Sequence, residues 1–183
     1  MSSLQKAKQR MDGALDALRR EFAAVRTGKA SPALLDTVRV EAYGSKVPLN
    51  QVGTVSAPEP RLLTIQPWDR SLMKAIERAL QESDLGLNPS NDGQVIRIPI
   101  PALTEERRRE YVRLLHKLAE EGRVNVRQAR KDANDEIKHQ QKDHGMSEDD
   151  IRREQEKVQK LTDQYIAKIE ELLKHKEAEV LEV

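Results

Sequence analysis

Apolar residues recur with a helical period at both ends of this chain and with a period of two in its middle. Near the start, Met11, Leu15, Leu18, Phe22 and Val25 alternate spacings of four and three, with Leu4 one heptad before Met11. That spacing predicts an amphipathic bundle helix. It should run to about Thr27, because Gly28 offers a stop and Ser31-Pro32 forbids continuation. From Val38 the period changes. Val38, Val40 and Ala42 alternate with Arg39 and Glu41, and Gly44-Ser45 turns the chain into a second short strand at 46–49. Residues 52–56 and 62–66 read as further strands, separated by the breaker Pro58-Glu59-Pro60. A short helix over 71–82 carries Leu72, Met73, Ile76, Ala79 and Leu80 on one face, and 95–98 returns as a strand.

A long helix follows. Thr104 is a fitting N-cap, with Glu105 and Glu106 in the first turn where the macrodipole favours acids. Tyr111, Leu115, Leu118, Val126, Ala129, Ala133 and Ile137 form its packing stripe, and Gly122 within that stripe admits a close neighbour. The pattern continues to His144, so about 40 residues would span roughly 60 Å. Gly145 ends it, and Ser147 with Asp150 suggests a capping box for the next helix, with Met146 stapled to Ile151. There Ile151, Val158, Tyr165 and Leu172 repeat every seven residues, widened by Leu161, Ile169 and Leu173. The short link makes these two helices antiparallel neighbours.

All eight prolines lie between Pro32 and Pro101. The proline-free flanks are the helical parts, so the fold expected is α+β but mostly helical: one discontinuous three-helix bundle, longer than wide, with a small domain inserted. The bundle takes 1–29 and 104–183; the insert, 30–103, is a sheet covered by one helix.

Composition narrows the chemistry. Charged residues make up 34% and aromatics 3%, and Phe22, Tyr43, Trp68, Tyr111 and Tyr165 are the only rings, too few for binding single strands by base stacking. The absence of cysteine removes disulfides, thiolate nucleophiles and zinc-thiolate sites, and points to a reducing cytosol. No apolar run approaches the roughly 20 residues that span a bilayer, and the N-terminus lacks a secretory apolar core. His116, His139, His144 and His175 contain no metal-binding pair at i,i+4 spacing. Arg26 to Ser31 looks like part of a phosphate-binding loop, yet Ala23 and Ala30 replace its first glycine and its magnesium-binding hydroxyl, and a helix rather than a strand precedes it. No catalytic residue, cofactor or metal site emerges.

The net charge of +1 is unevenly spread: residues 107–131 carry nine Lys/Arg against three Asp/Glu. On a helix, Arg123, Arg127, Arg130, Lys131, Asn134 and Lys138 fall within an arc of roughly 100°. Val126, Ala129, Ala133 and Ile137 take a second arc, and Asp132, Asp135 and Glu136 a third. Such segregation suits a solvated stripe, or a row of guanidinium forks spaced for successive phosphates.

Read together, R-T-G-K-A-S-P at 26–32, D-R-S at 69–71, S-D-L-G-L-N-P at 83–89, L-T-E-E-R-R at 103–108 and V-R-Q-A-R-K-D-A-N-D at 126–135 closely resemble the ribosome recycling factor family, in order and spacing. The resemblance implies a three-helix bundle joined by two hinge strands to a β/α/β sandwich domain, L-shaped and tRNA-sized. The hinges would lie at Gly28, Lys29, Ala30, Ser31 and Pro32 outbound and across 99–104, with Pro101, Ala102, Leu103 and Thr104, on return. It implies a non-enzymatic, monomeric translation factor of the bacterial cytosol, without cofactor, that binds neither DNA nor membrane. Its partners would be the large ribosomal subunit, whose rRNA the bundle contacts, and elongation factor G, which itself binds the GTP. By position the rRNA-binding residues would be Arg127 and Arg130 first, with Arg26, Arg123 and Lys131 beside them. Lys29 stands where the family more often has arginine, so the charge is kept and the bidentate fork is not. The alternative from the residues alone is a coiled-coil adaptor or chaperone cofactor that binds protein through its bundle.

Overall fold

The structure, a computed structural model, describes residues 1–182. The chain forms two compact units, one built from the residues up to Thr27 together with those from Thr104 onward, the other from Gly28–Leu103.

The first unit is a bundle of α1 (Ser3–Ala23), α3 (Glu105–His144) and α4 (Glu148–Leu181), each packed on the other two. Side chains define where each begins. Ser2 and Gln5 form a full capping box on α1, Thr104 Oγ1 accepts the Arg107 N–H at 3.1 Å, and Ser147 Oγ accepts the Asp150 N–H at 3.2 Å. On α4 that is half of the expected box, since the Asp150 carboxylate faces Arg153 instead. Gly145, at φ 65°, ends α3 in the left-handed conformation that glycine adopts without a steric penalty.

The N-terminal helix stops at Ala23, four residues before the expected end at Thr27. Its last turn tightens, with the Val25 N–H on the Phe22 carbonyl at 3.1 Å. Val25 stays buried, but Arg26 lies beyond the helix. On α4 the buried set is Ile151, Val158, Thr162, Tyr165, Ile169, Leu173 and Val180, while Leu161 and Leu172 are half-buried. A straight helix drifts about 20° per heptad against a strict seven-residue repeat, so the buried stripe moves off Leu172. Thr162 enters it because its hydroxyl donates to the Val158 carbonyl at 2.8 Å. A Cβ on Gly122 would lie 3.4 Å from Leu18 and 3.5 Å from Ile169, so all three helices meet at this glycine.

The second unit contains two sheets rather than the single one expected. Strands β1 (Arg39–Ala42) and β2 (Ser45–Pro48) form a hairpin. Its turn residues Tyr43 and Gly44 have φ of 52° and 84°, as a type I′ turn requires. The other sheet has β3 (Gly53–Glu59), β4 (Leu62–Pro67), β6 (Ile96–Pro99) and β5 (Ser90–Asn91) in the order β3-β4-β6-β5, all antiparallel. The expected break at Pro58 does not occur: β3 continues to Glu59 with a shift in register after Ser56. An edge strand tolerates proline because its outward N–H has no ladder partner to lose. The helix α2 (Met73–Gln81), entered through a 3-10 turn at Arg70–Leu72, packs on β1. Its buried Met73, Ile76 and Leu80 join Val40, Leu63, Ile65, Ile96 and Ile98 in one core.

A Cβ on Gly53 would sit 2.8 Å from the Gln66 carbonyl oxygen, a backbone atom that cannot swing away. Gly53→Ala should therefore lower the stability of the sheet unit by about 1–3 kcal/mol. Urea titration followed by Trp68 fluorescence reads it. Gly13→Ala, at an open helical site of the bundle, is the control, which should leave the Trp68 transition unchanged and raise the bundle's stability, followed by circular dichroism, by up to about 1 kcal/mol.

Candidate nucleic-acid interface

Helix α3 meets its two neighbours along differently charged flanks. On the acidic side α1 brings Lys6 to Glu136 at 3.0 Å and Arg10 to Asp132. On the basic side α4 brings Glu177 to His116 at 3.3 Å and Glu170 to Arg123 at 2.5 Å. The charge segregation along α3 thus matches the charges of its partners in part. Some of it is bundle chemistry and needs no ligand.

The basic positions consequently differ in role. The Arg123 side chain is 17% exposed and is held twice, by Glu170 through Nε and by Glu120 through Nη1 at 2.8 Å. Its guanidinium ties α3 to α4. Arg127 is 48% exposed and touches Glu120 at 3.3 Å from the outside. Arg130 is half-buried, and its Nη1 lies 3.4 Å from a neutral acceptor, Gln159 Oε1. Lys131 and Lys138 are exposed. The outward ridge is therefore Arg127, Arg130 and Lys131, with Arg123 beneath it as a brace and Arg26 outside the helix. Within the same face, Asn134 Oδ1 is buried and has no hydrogen-bond partner among the described residues.

The carboxylates record these contacts. Hydrogen bonding to Arg123 holds Glu120 and Glu170 below the usual carboxylate range, and bonding to Arg10 does the same for Asp132. A carboxyl group whose folded pKa is depressed contributes stability above its unfolded pKa, here near 4.5 for Glu170, and loses it as pH falls through the folded value. Melting of the bundle should therefore shift down on acidification below the ordinary glutamate range. Arg123→Ala should lower the midpoint at neutral pH by about 2–4 °C and flatten that acid dependence. Circular dichroism melts across pH 3–7 check both.

The expected hinge residues divide between the units. Ala30 donates its N–H to the Pro60 carbonyl at 2.6 Å, and Ile100 donates to the Arg61 carbonyl at 2.8 Å, so both connections are pinned to the β3–β4 turn. Ser31 caps the 3-10 turn that begins at Pro32. Gly28 has φ 77°, and a Cβ there would be 3.5 Å from the Leu103 side chain. The two connections thus run side by side at Gly28 and Leu103, with Lys29 on one and the exposed Pro101 and Ala102 on the other; Thr104 already belongs to the cap of α3.

Among the described residues no group of three or more His, Asp or Glu could hold a metal, and no helix is long and apolar enough to cross a membrane. Tyr43 and Trp68 are exposed, but both lie in the sheet unit, where Asp69 and Thr54 bond their polar atoms. The interhelical acceptors Glu170 and Gln159 were not found from the sequence. Antiparallel packing of α3 on α4 was legible, but its register was not.

Similarity to known proteins extends over the whole chain. The pattern that defines the family "Ribosome recycling factor" matches residues 18–181. The ribosome-recycling factor of Rubrobacter xylanophilus is 57% identical over 180 residues, 98% of this chain and 97% of that protein. That of Shouchella clausii is 58% identical over 177 residues, covering 97% and 96%. The solution structure of a ribosome recycling factor superposes with a TM-score of 0.76 at 47% identity, over 99% of this chain and 96% of that one. A second structure, of the T. thermophilus ribosome recycling factor with E. coli elongation factor G on the E. coli post-termination complex, gives 0.65 at 47% identity over both full lengths.

Proposed function

This chain belongs to the ribosome recycling factor family, and from that premise we propose that it is a translation factor that binds the post-termination ribosome and, with elongation factor G and GTP, separates the subunits. The observation that carries this is end-to-end relationship to a protein solved on that complex. The bundle serves as a rigid arm. Arg127, Arg130 and Lys131 on α3 contact the phosphates of large-subunit rRNA, with Arg26 contributing past the end of α1 and Arg123 holding α3 against α4. A straight helix presenting forks to an A-form backbone recognises shape and phosphate rather than base sequence. The sheet unit, connected through Gly28 to Pro32 and Pro101 to Thr104, receives the push of elongation factor G.

The chain itself carries out no chemical step, and works as a monomer in the bacterial cytosol. Among the described residues no nucleophile, base and oxyanion donor converge, so the purified protein should hydrolyse neither GTP nor peptidyl-tRNA; turnover that tracked the protein peak would contradict this. Sedimentation with purified large subunits tests the binding step. Binding should weaken steeply as salt rises. An adaptor that binds protein through the apolar seams of its bundle would leave the subunits unbound at every salt concentration.

A further inference from the structure

Arg123, Arg127 and Arg130 on the basic face of α3 rest on different partners. Glu120 and Glu170 neutralise Arg123, and Glu120 also touches Arg127. Arg130 rests on the carboxamide of Gln159, which accepts one of its N–H groups at 3.4 Å. A carboxamide can orient a guanidinium without cancelling its charge. It can do so only with its oxygen turned the right way, because the other end is itself a donor. Here the orientation is imposed from α4: Gln159 Nε2 donates to Asp163 Oδ1 at 2.8 Å, one helical turn further on. An ionised carboxylate only accepts, so it must face the NH2 group, and the oxygen is left for Arg130. Gln159 and Asp163 are both exposed, so packing of the bundle does not require them.

We propose that Gln159, oriented by Asp163, is a positioning residue that presents the Arg130 guanidinium to the rRNA backbone with its charge intact. The proposal rests on the ribosomal reading above and adds to it a residue on the neighbouring helix.

Gln159→Glu is the decisive variant, since it keeps the size of the side chain and turns the neutral rest into an ion pair of the kind that occupies Arg123. Binding to purified large subunits should weaken about five- to tenfold at low salt, with the slope of log affinity against log salt reduced by about one. Melting should stay unchanged or rise, which separates positioning from a structural role. Asp163→Asn, whose carboxamide can donate as well as accept, frees Gln159 to turn its NH2 group toward Arg130 and should weaken binding, by less than Gln159→Glu does. In an Arg130→Ala background Gln159→Glu should have little further effect. Equal losses with and without Arg130, or no loss where Arg130→Ala alone weakens binding, would overturn the proposal. If Arg130→Ala itself left affinity and salt slope intact, the ridge assignment would fall and the proposal with it, a result distinct from either of those.

Discussion

Replacing Arg127 and Arg130 together by alanine is expected to weaken binding to the large ribosomal subunit by about a hundredfold or more while leaving the bundle folded. A hydrogen bond to a charged group is worth about 1.5–3 kcal/mol, and each 1.4 kcal/mol is about tenfold in affinity. Arg127 stands at the lower end, because Glu120 already shares its charge. Neither side chain supports the core, and alanine is the best helix former, so melting should not fall. Removing two phosphate contacts should also lower the salt slope by about two. Arg130→Gly should cost roughly ten- to a hundredfold in affinity and up to about 1 kcal/mol in helix stability as well. Arg123→Ala should behave in the opposite sense, lowering stability first, because its guanidinium is spent on Glu120 and Glu170. Binding and melting measured on all three variants separate ridge from brace.

Lengthening the two connections should abolish subunit splitting without abolishing binding. The pinning of Ala30 and Ile100 to the β3–β4 turn leaves only a few residues on each strand to carry force between the units. Two covalent links side by side permit rotation while restraining translation. Inserting Gly-Ser pairs after Lys29 and after Ala102 leaves both cores and the arginine ridge untouched, yet lets the sheet unit move without pulling the bundle. Affinity for the large subunit should stay within about twofold, while the rate of factor-dependent release should fall at least about tenfold, or ~1.4 kcal/mol of barrier. Full splitting by the lengthened protein would show that the bundle is not moved through these connections.

The long helices were legible because their signals are local. Thr104, Gly145 and Ser147 mark their ends through side chains or backbone conformations that act within a few residues, and the apolar stripe repeats over many turns. Confinement of the prolines to 32–101 exposed the insert for the same reason. What escaped depends on partners distant in sequence. Pairing of β4 with β6 brings Leu63 to Ile98, and nothing local to either strand separates that sheet from the β1–β2 hairpin. The edge strand Ser90–Asn91 has no apolar alternation to announce it. At the basic face, charge segregation weighted Arg123 and Arg127 alike. Only the opposing helix distinguishes them, through Glu170, 47 residues away.

The central claim, that this chain recycles ribosomes together with a GTP-driven partner, is tested most directly by light scattering of purified bacterial post-termination complexes. With this protein, elongation factor G and GTP all present, scattering should fall as subunits separate. Omitting any one of the three, or supplying the Arg127→Ala/Arg130→Ala variant, should leave the signal near its starting value. Complexes that remained intact with all three present, at concentrations of this protein that saturate the large subunit, would contradict the account.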